Sequence, residues 1–109
     1  MSRVAATHDI FQAIADPTRR VMLSRLQFGE MKAGEIAEGF ALSQPALSKH
    51  LRILREAGLV TVADRGRFRI YALDPDALRQ VFDWVQAFEA FWPNKLEALG
   101  THLRNKPRG

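Results

Sequence analysis

Apolar residues along the chain change their period several times, and those changes mark out the elements. Ile10, Phe11 and Ile14 recur at helical spacing and predict a first short helix from about Thr7 to Ala15. Asp16-Pro17 then reads as an N-cap followed by proline at the first helical position, where a missing N–H costs nothing. The second helix runs to about Leu26. It is expected to bury Val21, Met22 and Leu26, to leave Arg19, Arg20 and Arg25 in solvent, and to end at Gly29. A third, short helix opens at Lys32-Ala33 and closes near Phe40, and Ala41-Leu42 makes a tight connection. Ser43 caps a fourth helix, Pro45 fits its first turn, and Leu47, Leu51 and Leu54 form its apolar stripe as far as Ala57-Gly58.

The period then shortens. Leu59 to Asp64 and Phe68 to Leu73 are rich in β-formers and flank Arg65-Gly66-Arg67, which predicts a hairpin with an arginine on each side of its glycine. Asp74-Pro75 restarts helix by the same device as Asp16-Pro17. Leu78, Val81, Phe82, Val85, Phe88, Trp92, Leu96, Leu99 and Leu103 follow at spacings of three and four, predicting a long last helix over 75–104, kinked near Pro93. The fold class is therefore mainly α with one small β-hairpin, in the order α-α-α-α-β-β-α: the plan of a winged helix-turn-helix. The chain reads as one domain over 1–109, with N-terminal helices over 7–26, a helix-turn-helix over 33–58 and a wing over 59–73.

That plan assigns chemistry to one face of the fourth helix. Turning the leucine stripe inward directs Pro45, Lys49 and Arg52 outward, flanked by Gln44 and Ser48. First-turn side chains of such a helix reach base edges in the major groove, and its free N–H groups lie near phosphates. Gln44 suits bidentate bonding to adenine and Ser48 either donates or accepts, while Lys49 and Arg52 read guanine or hold phosphates. At the hairpin, Arg65, Arg67 and Arg69 are offered to the flanking backbone or minor groove. Lys49 or Arg67 taken singly is better explained as part of a solvated face; the capped helix, turn, stripe and wing together favour double-stranded DNA as the partner.

Composition narrows the picture further. A chain of 109 residues, 47% hydrophobic, is long enough for one core and too short for a separate catalytic domain. Its net charge of +4 suits a polyanionic partner without proving one. No apolar run has the length of a signal peptide or membrane span, so no membrane is expected and the protein is read as soluble and cytoplasmic. With no cysteine, disulfides and thiolate metal sites are excluded.

Three segments resemble the signature of ArsR/SmtB-type repressors: Asp16-Pro17-Thr18-Arg19-Arg20, Leu42-Ser43-Gln44-Pro45-Ala46-Leu47-Ser48-Lys49-His50-Leu51, and Leu54-Arg55-Glu56-Ala57-Gly58-Leu59-Val60. Arg65-Gly66-Arg67 and Ile70-Tyr71 fit that family's wing. The resemblance is strong over residues 10–73 and looser beyond. It implies a homodimer on a palindromic operator near a promoter, repressing transcription. It also places Gln44, Pro45, Ser48 and Lys49 where the family touches bases and phosphates, with His50 at the edge of that surface.

Members of such a family often sense metal. Here the third helix lacks the cysteines the family uses near Glu35, and the last helix offers Asp83, Glu89, Glu97 and His102 without a second histidine at the right separation. His8, His50 and His102 fall on different helices, so no metal and no cofactor is expected, which points to the metal-independent members. Enzymatic parts are also missing: there is no phosphate loop, HExxH pair or nucleophile elbow. Ser48 and His50, two apart on a helix, point about 200° apart and cannot act together. The aromatic cluster Phe82, Trp84, Phe88, Phe91 and Trp92 suggests either a ligand pocket or dimer core. The core reading is favoured because so small a domain cannot hide that surface alone. The expected isologous interface uses Phe11, Phe82, Val85, Phe88, Trp92, Leu96 and Leu99. Whether a small-molecule effector exists is left open, and an architectural, sequence-indifferent DNA binder is the competing function.

Overall fold

Side-chain caps begin most of the helices. In the computed structural model, which describes residues 9–91, Asp9 caps α1 (Ile10–Ala13) by accepting from the Gln12 N–H at 2.7 Å. Asp16 caps α2 (Pro17–Leu26) through the Arg19 N–H at 3.0 Å, and Ser43 caps α4 (Gln44–Glu56) through the Ala46 N–H at 3.2 Å. Each cap satisfies one of the N–H groups that a first helical turn leaves without a partner. Between α2 and α4 lie β1 (Met31–Lys32) and α3 (Ala33–Ile36). The wing is β2 (Val60–Arg65) and β3 (Phe68–Leu73), and α5 (Arg79–Gln86) follows a 3-10 turn over Pro75–Leu78.

The three strands form one antiparallel sheet in the order β1-β3-β2. Arg65 pairs with Phe68, so the loop is the two residues Gly66-Arg67, and Gly66 takes φ +62°. Glycine at the first central position is what a tight hairpin turn of this hand demands. At the other end of the hairpin, Gly58 ends α4 with φ +83°, and the chain turns directly into β2.

The core gathers the inward faces of all these elements. Met22, Ile36, Leu54 and Leu59 are fully enclosed, joined by Ile10, Leu26, Leu47, Leu51, Ile53 and Tyr71. The leucine stripe of α4 is buried as its spacing predicts.

Several expectations need correction. Val21 is 41% exposed: the inward face of α2 is Met22, Leu23 and Leu26, and Val21 stands off that arc. Arg19 and Arg25 are not free in solvent but half-buried on main-chain carbonyls. The third helix stops at Ile36, four residues early, and the chain turns through Gly39. The short strand β1, absent from the sequence reading, pairs with the outer edge of the wing at Met31–Tyr71 and Lys32–Ile70. The last helix is not continuous from Pro75: α5 tightens after Gln86 into i−3 bonds and a second 3-10 turn, Glu89–Phe91. Leu78 and Val81 pack on the core of their own chain. The expected kink at Pro93, and Trp92, Leu96, Leu99 and Leu103, lie outside the described residues, as do His8 and His102.

Candidate nucleic-acid interface

Burying one side of α4 decides what its other side can do. Gln44, Pro45, Ser48, Lys49 and Arg52 are all exposed, as expected from the stripe. They divide into three sets. Gln44 and Ser48 open onto a groove of about 640 Å³ between α3, α4 and the wing, which also takes Lys32, Arg67 and Arg69 into its walls. Arg52 belongs to an adjoining hollow of about 280 Å³ with Ser48, Arg55 and Arg69. Pro45 and Lys49 line neither. The floor of the larger groove is apolar, with Leu47, Leu51 and Tyr71, and among the described residues its only acid is Glu35. Glu35 is committed locally, accepting from the Lys32 N–H at 2.8 Å.

Two residues of this surface escaped the sequence reading. Lys32 stands with its Nζ 4.2 Å from the centre of the Phe68 ring, a cation–π contact between two residues that both line the groove. Nothing local marks it, because the β1–β3 pairing that brings it there is two residues long. Arg55 was discoverable: it lies three residues after Arg52 and seven after Ser48, on the same helical stripe.

The wing arginines differ from one another. Arg65 reaches back in a two-pronged ion pair to Glu30. Arg69 sits across the hairpin from its register partner Asp64, with Nε 3.4 Å from the carboxylate. Arg67, at the tip, makes no ion pair with a described residue and is exposed. Arg52 has Nε 3.9 Å from Glu56 one turn on, and Lys49 makes no ion pair with a described residue.

His50 has a partner inside the subunit. It is half-buried, with Nδ1 3.1 Å from an Arg19 Nη. A guanidinium only donates, so Nδ1 accepts and the ring proton sits on Nε2. Beside them, burial pulls the Asp16 carboxyl upward. The Arg19 N–H, the Arg19 charge and the Thr18 N–H outweigh that pull and hold it below the usual carboxylate range.

A third feature is apolar. Phe11 of α1 meets Trp84 of α5 edge-on at 5.8 Å, Trp84 meets Phe88 at 5.2 Å, and Phe88 lies 6.4 Å from Phe91. Of this set Trp84 is 56% and Phe91 77% exposed, and neighbouring Phe82 is 55% exposed. Val85 is half-buried.

Comparison with known proteins agrees with this geometry. The profile described as bacterial regulatory protein, arsR family, matches residues 16–62, the stretch from the α2 cap to the first half of the wing. The transcriptional repressor SdpR of Bacillus subtilis is 41% identical over 81 residues, 74% of this chain and 90% of that one. The HTH-type transcriptional regulator Rv2034 of Mycobacterium tuberculosis is 38% identical over 96 residues, 84% of this chain and 90% of that one. The crystal structure of an ArsR family transcriptional regulator superposes with a TM-score of 0.70 at 34% identity, covering 78% of this chain and 93% of that one. No helix among the described residues is long and apolar enough to cross a membrane. The chain belongs to the ArsR family, and it is a winged helix-turn-helix DNA-binding transcriptional regulator, not an enzyme.

Proposed function

We propose that the chain represses transcription in the cytoplasm as a homodimer on a palindromic operator. Two α4 helices enter successive major grooves about 34 Å apart, one from each subunit. Gln44 and Ser48 read bases, Lys49, Arg52 and Arg55 hold phosphates or guanine, and Pro45 shapes the first turn. Arg67, with Arg65 and Arg69 behind it, follows the flanking backbone, and Lys32 grips the strand that passes between helix and wing. The observation that carries this reading is the opening of Gln44 and Ser48, two neutral polar readers, onto a groove walled by three cations. An architectural binder needs the cations alone. Repression is supported by the name of the Bacillus subtilis relative.

The dimer is supported by the exposed aromatic chain from Phe11 to Phe91. Facing copies of this surface across a two-fold axis would bury Phe11, Phe82, Val85 and Phe88, together with Trp92, Leu96 and Leu99 of the following segment. Single domains rarely leave so much contiguous aromatic surface in water.

Selecting bound duplexes from a random pool tests the reading. The selected sequence should be a palindrome bound orders of magnitude more tightly than random duplex. On it, Gln44→Ala should cost about 1–3 kcal/mol and relax preference at one position of each half-site. Uniform loss on specific and random DNA would instead reveal a backbone contact and favour the architectural alternative. Phe88→Glu should give monomers in sedimentation and abolish tight operator binding; a wild-type monomer that binds one half-site tightly would overturn the dimer.

A further inference from the structure

Arg19 is the one guanidinium of α2 seen to reach the reading helix. Its own N–H is held by the Asp16 cap at 3.0 Å. Its Nε donates to the Ala13 carbonyl at 2.7 Å and one Nη to the Gln12 carbonyl at 3.4 Å, both at the end of α1. The other Nη lies 3.1 Å from His50 Nδ1, on α4. By contrast, among the described residues Arg20 donates to the Ile14 carbonyl, at 2.8 Å, and Arg25 to the end of α3 and the turn after it.

The helix on the other side of this bracket carries the aromatic face. α1 packs against both α4 and α5, and its Phe11 meets Trp84 edge-on. One planar, rigid group therefore spans from α1, part of the dimer surface, to α4, the DNA-reading element. A guanidinium fixes the angle between its partners as well as their distance, which an ammonium does not. That angle has leverage. With half-sites about 34 Å apart, each reading helix lies about 17 Å from the dyad, and a change of about 10° in its inclination to the dimer face displaces it by about 3 Å, close to one base-pair step.

We propose that Arg19, bridging the end of α1 and His50, sets the angle of α4 relative to the dimer face and so fixes the half-site spacing this regulator accepts. This makes Arg19 a positioning residue for specificity, acting through His50, and it rests on the two-half-site reading above.

The test uses the full chain as wild type, Arg19→Lys, His50→Leu and His50→Asn, on duplexes carrying the selected half-sites with the spacer changed by one or two base pairs. Melting temperatures run alongside. Wild type should lose about tenfold in affinity per base pair of change, while Arg19→Lys and His50→Leu should lose about threefold or less. His50→Asn, whose amide oxygen stands where Nδ1 stood, should restore the narrow profile. A merely structural contact would lower melting temperatures and leave the spacing profiles parallel. Four parallel profiles with a sharp wild-type optimum overturn the bracket alone. A wild type indifferent to spacing overturns the two-half-site reading, and the bracket falls with it.

Discussion

The arginines of α2 and those of the wing are the same side chain put to opposite ends. Arg19, Arg20 and Arg25 each finish on main-chain carbonyls near the end of a helix: Gln12 and Ala13, Ile14, and Ile36 with Glu38. Among the described residues Arg65, Arg67 and Arg69 donate to no main-chain carbonyl; two face surface carboxylates and the third projects from the tip. The reason lies in the backbone around each set. A helix end leaves carbonyls without partners, and any guanidinium within reach is drawn to them. In the hairpin the facing groups of the two strands pair along the ladder from Val60–Leu73 to Arg65–Phe68, and its arginines turn to surface carboxylates or solvent instead. Positive charge on the sequence therefore does not count as DNA-binding charge until the neighbouring backbone is accounted for.

The largest expected effect comes from removing a staple. Arg25→Ala loses two charge-assisted bonds, one to the last residue of α3 and one to the turn after it, and a stack 5.0 Å over Phe40. It should cost about 2 kcal/mol in denaturant unfolding and leave the salt dependence of DNA binding unchanged. A cost under about 0.5 kcal/mol would place Arg25 with the wing arginines and break the distinction.

Asp16→Ala removes the cap that seats Arg19 and should cost about 1 kcal/mol, with Asp16→Asn costing less because the amide still caps. The charge has its own signature. Because the folded carboxyl is held below its ordinary value of 3.8, its contribution is complete above that value. It fades as the pH falls from there through the lower folded value. The difference between wild-type and Asp16→Asn unfolding midpoints should therefore be constant near neutrality and shrink only in that acid window. A difference that shrinks around neutral pH would contradict the assignment.

Arg67→Ala should show the reverse of Arg25→Ala: stability within about 0.5 kcal/mol of wild type, with the salt slope of binding lower by roughly one counterion on every sequence. An unchanged slope would mean that the tip points away from DNA. The smallest effect belongs to Arg65, the intermediate case. A double-mutant cycle with Glu30 should give a coupling of about 1 kcal/mol or less, since both partners are solvent-exposed. Glu30→Ala should free Arg65 and raise affinity for DNA slightly; lower affinity would show that the ion pair orients the wing.

What the sequence determined by itself is everything with a short-range signature. The caps at Asp16, Ser43 and Asp74, the inward stripe of α4 and the glycine turn of the wing are written within a few residues of where they act. From them the order of elements and the exposed reader face followed, as did the family. Only the tertiary structure decided the fate of individual charges. Arg19 meets a histidine 31 positions away, Arg65 a glutamate 35 positions away, and Lys32 enters the groove through a two-residue strand too short to show a period. It also decided that α5 tightens at Ala87, well before Pro93, and that Val21 stands outside the core. Periodicity tells a residue which face of its own helix or strand it occupies. It carries no information about which carbonyl, carboxylate or ring the fold will bring to that face, because chain segments remote in sequence supply them.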